Sequence, residues 1–471
     1  MPALSTATTN ALILIVSIVS WLPKQEPAYA LPFILALFWL ILLSMRKKQI
    51  QISRNILFSL LGIILFIFIC VFHSLVRYGA LSIHMILWAL THGSLLVALV
   101  FVLLSKSHVF RSLYFLINVN IFLGCFEVAL GWWQFVTGPS FNESSAAGDH
   151  VIGTLGDNSH LFAMKMLSLA IISIFTWEFR KQKRYLVCAI MFISAWILAS
   201  ALHTVLVLIF AGAIYFLIGE YSFLKKIKVL IFSFLLLLGI IIMLYFVQER
   251  NIYYMLAKFS FENPAKIGQL FGKIEFMKRT LIDLPLQEGV DAALVGVGPG
   301  TYSSRASWIL SGEYLRNQSY VPIIPTYVWA KYLRDIWSHD LLESTRWSHG
   351  VANQPFSTWF TILGEFGYIG LLFVLFALIR LIIYFKRPSI SSLNVSIANM
   401  SVFIILFLTA SFFFDNWLEY PRLMLPIVCL LAISAKCIQL LSLRKPHCCS
   451  VKDMGEKEKR SEFPKGCGKF V

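Results

Sequence analysis

Apolar runs that are long enough to cross a lipid bilayer recur along almost the whole chain, and they limit its fold more than any other feature. About twelve such runs are present, each of roughly the 20 residues that a helix needs to cross a hydrocarbon layer of about 30 Å. Hydrophobic residues make up 58% of the chain and charged residues only 14%, a balance that a soluble core does not accommodate. The sequence predicts an all-α polytopic membrane protein. Its predicted spans begin near Ala11, Leu31, Ile56, Leu81, Leu113, Leu161, Tyr185, His203, Val229, Ser357, Val395 and Leu423.

One long polar stretch, residues 248–355, separates the ninth run from the tenth. It shows no sustained strand alternation, so it is predicted to form a large loop of short helices and turns. The expected organisation is therefore an N-terminal transmembrane bundle of about nine spans in residues 1–247, this loop, spans ten to twelve in residues 356–443, and a basic tail in residues 444–471.

Basic residues alternate between the short connections and so indicate the orientation. The connections that contain residues 46–54, 180–184 and 225–228 are rich in Lys and Arg, whereas the alternate ones carry only Lys24, Arg77 and Arg422. Positive residues stay in the cytoplasm during insertion, so both termini are predicted to be cytoplasmic and residues 248–355 extracytoplasmic. The net charge of +16 is then a signal of membrane topology, and nucleic acid is not an expected partner. The expected location is the cytoplasmic (inner) membrane.

The eight cysteines agree with this topology, because none of them lies in the predicted outer loop. The sequence therefore implies no disulfide framework. His447, Cys448 and Cys449 lack a second ligand pair at metal-binding spacing, so no metal site is expected in the tail.

Two charged residues fall inside predicted spans. Glu127 lies in the fifth span, and Lys165 lies about one turn inside the outer edge of the sixth. A charge in lipid costs about 2.5 kcal/mol or more, so both side chains are expected to face the bundle interior. Lys165 is a candidate to contact a lipid diphosphate, or it extends its ammonium group to the membrane surface without any further role.

The outer loop and the tenth span carry two glycine-containing motifs. Residues 296–302 read Gly-Val-Gly-Pro-Gly-Thr-Tyr, and Glu365 begins Glu-Phe-Gly-Tyr-Ile-Gly in the following span. Glycines permit positive φ and a close backbone approach, although a lone glycine turn is usually only a turn. Between the motifs, residues 308–347 are rich in Trp and Tyr, whose flat faces suit sugar rings or a membrane surface.

The order and placement of these features resemble the O-antigen ligase and Wzy-type O-antigen polymerase superfamily. The resemblance is best over residues 156–375 and rests on the twelve predicted spans, the outer loop between spans nine and ten, the glycine turn at 296–302 and the Glu365–Gly370 segment. It implies a glycosyltransferase that uses an undecaprenyl-diphosphate-linked glycan as donor and a glycan as acceptor, without cofactor or metal. Membrane lipid, a flippase and a chain-length regulator are further partners that the resemblance implies.

Basic residues hold the diphosphate in this family, and a loop histidine acts as base. Where the family commonly has a His-Asn pair, this chain has Phe356 and Ser357, so His349 is the candidate base and His339 the second choice. The loop arginine of the family falls on Lys273. The candidate substrate-binding residues are Lys165, Lys273, Arg279, Arg305, Arg346 and Glu365.

Three functions therefore follow as alternatives. A polymerase would join repeat units into O-antigen, capsule or exopolysaccharide; a ligase would transfer the glycan to lipid A core or another acceptor. The departure from the ligase-like His-Asn pattern favours the polymerase. A secondary transporter is the alternative of another class, since twelve spans with both ends inside are common there, but the sequence shows no internal repeat.

Overall fold

The structure, a computed structural model, describes the protein in segments. They comprise residues 6–45, 54–104, 109–138, 150–156, 159–199, 201, 203–219, 272–313, 322–338, 354–386 and 392–443, with isolated helical positions between 224 and 242. Within these segments the chain forms helices, turns and bends, and no strand. This confirms the predicted helical class.

The helices follow one another along the apolar runs. In chain order they are α1 Thr6–Val19, α2 Glu26–Met45, α3 Arg54–Tyr78, α4 Ser82–Thr91, α5 Ser94–Leu104, α6 Val109–Thr137, α7 Ser159–Arg180, α8 Lys183–Leu198, α9 His203–Ile218, α10 Gly272–Lys278, α11 Leu284–Glu288, α12 Val290–Val295, α13 Arg305–Ser311, α14 Tyr327–Tyr332, α15 Thr358–Phe385, α16 Ser392–Ser411 and α17 Pro421–Leu443. A π-helical turn, Arg279–Asp283, joins α10 to α11, and a 3₁₀ turn, Trp417–Glu419, precedes α17.

Several of these helices have the length and hydropathy of membrane spans. Five of them qualify within the described segments: part of α3 (Leu61–Tyr78), α6, α7, α15 and most of α17. A sixth span results if α4 and α5 are one broken helix, bent by 55°. Four shorter helices (α1, α9 and parts of α2 and α16) are also apolar. The protein therefore has the character of a helical membrane protein.

The predicted apolar runs and the helices coincide closely. Each predicted run lies on a helix, except that the run near Val229 falls largely outside the described residues. Sequence reasoning took the run near Leu81 as one span, whereas the chain bends at His92 and Gly93. The number of membrane crossings, their orientation and the domain boundaries stay predictions.

Helix α7 lies at the centre of the bundle. It packs against α6, α8 and α16, and almost all of its residues from Ser159 to Ser173 are buried. A helix that is apolar on every side is expected to be surrounded by others. The charged Lys165 is carried into the protein interior by this helix.

The segments within residues 272–338 form a second, smaller core with the start of α15. Phe276, Tyr302, Trp308 and Trp329 are buried together with the first turns of α15. Helix α12 lies along α15, and α13 lies on α4. The described parts of residues 272–338 are thereby attached directly to apolar helices of the bundle.

Candidate functional site

The two glycine-containing motifs form one unit. The carboxylate of Glu365 accepts hydrogen bonds from the backbone N–H groups of Gly300 (3.0 Å), Tyr302 (3.2 Å) and Ser304 (3.3 Å). The N–H of Gly298 donates to the Glu365 carbonyl at 3.0 Å. Successive N–H groups that point inward make a concavity suited to an anion, and in this protein a carboxylate of the same chain occupies it.

Glycine is required where the two motifs meet. Gly296 has φ +75°, and a Cβ there would lie 2.3 Å from the Glu365 carbonyl carbon. Gly367 interrupts α15 with φ +66°, and its Cβ would lie 2.3 Å from the Leu294 carbonyl oxygen. Both neighbours are backbone atoms that cannot move aside cheaply, so these glycines permit the docking of 296–302 on α15.

Arg305 is the most enclosed of the predicted substrate-binding cations that the structure describes. Its side chain is buried, with the guanidinium 3.1 Å from the centre of the Tyr420 ring. The Nη1 atom of Arg305 donates a hydrogen bond to Gln25 Oε1 at 2.8 Å and lies 3.2 Å from the hydroxyl oxygen of Tyr29. Arg305 thus links α13 to α2 and to the start of α17.

Glu419 lies beside Arg305 and links it to the bend between α4 and α5. Its Oε2 accepts the backbone N–H of Arg305 at 2.5 Å, and its Oε1 lies 3.5 Å from His92 Nε2. Burial raises the pKa of Glu419 well above its usual value, and the neighbouring Glu365 carboxylate raises it further. The group is therefore able to hold a proton at a pH where an exposed glutamate could not.

Lys273 occupies the position next to the Phe356 and Ser357 segment. Its ammonium group donates to the carbonyl oxygens of Phe356 and Phe414, both at 2.6 Å. Burial lowers the pKa of Lys273 to about 7, with the neighbouring Asp415 opposing that change. Lys273 can consequently gain or lose its charge near neutral pH.

Lys273 and Arg305 both contact the turn that contains Asp415, since Lys273 donates to the Phe414 carbonyl and the Arg305 backbone N–H donates to Glu419. Both cations act on Asp415 electrostatically and oppose the rise in pKa that its burial causes. The two cations come from positions 32 residues apart (305 minus 273) and from different helices. The structure thus brings two predicted substrate-binding residues to one buried polar turn.

Lys165 and Glu127 both face the interior, as their sequence positions predicted. Each side chain is buried. The Lys165 ammonium donates to the Ser20 carbonyl at 2.5 Å and lies 3.5 Å from the centre of the Trp21 ring. Glu127 accepts from the N–H and hydroxyl of Thr154 at 2.8 and 2.5 Å. Neighbouring segments of the chain therefore supply polar partners to both charges.

Arg279 has a different environment from the other candidate cations. Its guanidinium is bound bidentately by Asp335 at 2.5 and 2.8 Å, and its Nε contacts Glu275 at 2.8 Å. Hydrogen bonds from Arg279 lower the pKa of Asp335. A role for Arg279 in substrate binding would require a substrate anion to compete with this pair.

The remaining predicted site residues, His339, Arg346 and His349, lie outside the described residues. Their roles stay predictions. The first described residue after them, Gln354, immediately precedes the segment that Lys273 contacts.

Sequence reasoning missed the polar turn between α16 and α17. Asp415, Asn416, Glu419 and Arg422 lie within eight positions and are all buried. Asn416 donates to the Ser303 carbonyl at 2.8 Å, and Arg422 donates to the carbonyls of Pro23 and Leu155, each at 2.9 Å. The sequence could have indicated this turn, because four polar or charged residues are concentrated in one short connection between two apolar runs.

The chain matches no known family model and no curated protein sequence.

Proposed function

We propose that the protein is a membrane glycosyltransferase that polymerises undecaprenyl-diphosphate-linked oligosaccharide repeat units into surface polysaccharide. The observation that carries the proposal is that Lys273 and Arg305 both contact the buried polar turn between α16 and α17, Lys273 at the Phe414 carbonyl and Arg305 at the Glu419 carboxylate. Both cations were predicted from the sequence to bind the diphosphate, and they come together beside the docked glycine motifs. The resemblance to the O-antigen ligase and Wzy-type polymerase superfamily supplies the substrate class.

The transfer reaction explains why buried cations are needed. The acceptor hydroxyl oxygen forms a bond to the anomeric carbon of the donor sugar, and the bond from that carbon to the diphosphate oxygen breaks. The electron pair leaves with the diphosphate, whose growing negative charge is stabilised by Arg305 and Lys273. Cations that are already held in place and shielded from water stabilise such charge more strongly than solvated ones.

The proton of the acceptor hydroxyl requires a base near the working pH. His349 takes this role in the proposal, with His339 as the second choice, since histidine has the appropriate pKa range. The other predicted contacts to the donor in this proposal are Arg346, Arg279 and Lys165. In this arrangement Glu365 acts by holding the 296–302 turn against α15, as its hydrogen bonds indicate.

The proposal includes a topology. The chain crosses the cytoplasmic membrane twelve times, with both termini in the cytoplasm and with residues 248–355 on the opposite side. Support comes from the alternation of basic connections and from the helices found on the predicted apolar runs. The transfer would then take place at the outer surface of the membrane.

Purified protein in lipid nanodiscs, supplied with lipid-linked repeat units, tests the proposal by the length of the glycan formed. Arg305→Ala is expected to abolish most chain growth, and Arg305→Lys to restore it only partly because the planar geometry is lost. Lys331→Met is the matched control, because this loop lysine pairs with Glu288 away from Asp415. Growth at the unaltered rate by Arg305→Ala would contradict the proposal.

The same reaction mixture distinguishes the alternatives. With lipid A core as acceptor, a single transfer without chain growth would identify a ligase. Movement of the intact donor across the membrane, without a new glycosidic bond, would instead identify a transporter.

A further inference from the structure

The segment from the π-helical turn to the end of α12 exposes aliphatic side chains, although it belongs to the polar stretch of the sequence. In residues 281–295 the exposed side chains are those of Leu281, Ile282, Leu286, Gln287, Val290 and Leu294. Four of them recur at every fourth position and are called here the aliphatic stripe: Ile282, Leu286, Val290 and Leu294. Leu286 and Val290 are 79% and 74% exposed. Aliphatic side chains that are grouped on a surface in this way indicate contact with another protein or with lipid.

Polar contacts attach the middle of this segment to one end of α3. Asp291 Oδ2 lies 3.0 Å from His73 Nε2, and the same carboxylate pairs with Arg77. Arg77 also donates a hydrogen bond to the Glu288 carbonyl oxygen. Arg77 lies in the last turn of α3, in a candidate membrane span that ends at Tyr78. Asp291 is thereby held at the level where this span ends.

Helix α15 places the segment at a membrane boundary as well. The first turns of α15 are buried in the second core, and Gly367 lies against the Leu294 carbonyl where α15 is kinked. From Gly367 to Phe385 the helix extends about 27 Å, at roughly 1.5 Å per residue. The hydrocarbon layer is about 30 Å thick, so this part of α15 is long enough to cross most of it. Leu294 therefore lies at the end of the membrane-crossing part of α15.

Both helices that hold the segment expose apolar side chains beside it. Val76 precedes Arg77 on α3, and Ile369 and Leu372 follow Gly367 on α15; all three are exposed. Apolar side chains that point outward from a membrane span contact acyl chains. The aliphatic stripe is thus next to two surfaces that face lipid. The charged exposed side chains of the second core come from a different segment, residues 331–335.

We propose that the aliphatic stripe lies in the bilayer, in contact with phospholipid acyl chains at the ends of α3 and α15. Lipid is the occupant because it already surrounds both helices at the level where Asp291 and Leu294 are held. The glycine turn at 296–302 follows α12 directly, so the contact would keep this turn close to the membrane surface. The inference rests on the helical membrane class of the protein and is independent of the proposed function.

Fluorescence quenching in lipid nanodiscs locates the stripe relative to the bilayer without any substrate. A coumarin amino acid would replace Leu286 or, in a separate protein, Val290, and its emission is distinct from that of the 13 tryptophans. Phosphatidylcholine with a nitroxide on its acyl chain is the lipid quencher, and iodide is the aqueous quencher. The nitroxide lipid should quench the probe at both positions, and iodide should not. Because both side chains are exposed, the probe should leave the packing and the melting temperature unchanged.

Arg334 is the matched control position, since it is exposed in the charged segment of the second core. The same probe at Arg334 should be quenched by iodide and not by the nitroxide lipid. Iodide quenching at Leu286 and Val290 would place the stripe in water, and protection from both quenchers would place it beneath protein. Either result would overturn the proposal.

Discussion

The carboxylate of Glu365 accepts the backbone N–H of Gly300 at 3.0 Å, although 65 residues separate the two along the chain. The inward-pointing N–H groups of the glycine turn thus bind a carboxylate of α15, where a similar turn in another protein could bind a phosphate. The turn is consequently an internal joint that holds residues 298–304 on α15. Arg305, one of the proposed substrate-binding cations, follows this turn directly, and its backbone N–H donates to Glu419.

Loss of the Glu365 carboxylate should destabilise the protein more than loss of an exposed carboxylate. In Glu365→Ala the N–H groups of Gly300, Tyr302 and Ser304 remain buried without acceptors. Each is expected to lower the free energy of unfolding by about 1–3 kcal/mol. Glu275→Ala is the control, because this partly exposed residue pairs with Arg279 and should cost only about 0.2–1 kcal/mol. Thermal unfolding in detergent measures both. Equal melting temperatures for wild type and Glu365→Ala would show that the carboxylate does not hold the turn.

Gly367→Ala should strain the kink in α15. The residue has φ +66°, and a Cβ would press on the Leu294 carbonyl oxygen. We therefore expect the free energy of unfolding to fall by about 2 kcal/mol or more. Gly62→Ala is the control, since nothing lies within 4 Å of a Cβ at that helical position. Alanine there should stabilise the helix by up to about 1 kcal/mol. The prediction fails if the two variants unfold at the same temperature.

Donor affinity should fall as the pH rises through about 7. Because the pKa of Lys273 is lowered to about 7, its ammonium group is charged below that pH and neutral above it. Asp415 and Glu419, whose pKa values are raised by burial, gain negative charge as the pH rises and so act in the same direction. Titration of undecaprenyl diphosphate binding measures the effect. In Lys273→Met the part of the pH dependence due to the lysine should disappear, whereas Lys273→Arg should keep its charge throughout. An identical pH profile in Lys273→Met would assign the effect to the carboxylates.

His349→Ala should reduce the transfer rate by about 10²- to 10⁴-fold, the usual effect of removing a general base. Protein level and donor binding should be unchanged, because a base acts on the acceptor hydroxyl. The measurement is chain formation from purified donor, run beside His339→Ala. Normal turnover by His349→Ala together with loss in His339→Ala would assign the base to His339.

Reporter fusions should locate the loop outside the cytoplasm. Alkaline phosphatase folds only after export, so a fusion near Gly312 is expected to be active and a fluorescent cytoplasmic reporter there to be dark. Fusions after residue 446 should give the reverse pattern. A bright fluorescent reporter near Gly312 would overturn both the topology and the site of reaction.

The sequence by itself determined the helical class and the position of most helices. Runs of about 20 apolar residues have few other solutions in a bilayer, since every backbone N–H and C=O must be bonded within the segment. Lys165 and Glu127 were also placed correctly in the interior, because a charge facing lipid is costly. These are local properties, and a single stretch of sequence is enough to read them.

The tertiary structure alone decided which polar groups meet. The Glu365 bond to Gly300, the Lys273 bond to Phe414 and the Arg305 bond to Glu419 join distant positions whose spacing has no period. At the bend of His92 and Gly93, the His92 ring lies 3.5 Å from Glu419, a residue near the other end of the chain. Such contacts are set by helix packing, in which the rotation and depth of each helix depend on all of its neighbours, so local patterns in one sequence do not specify them.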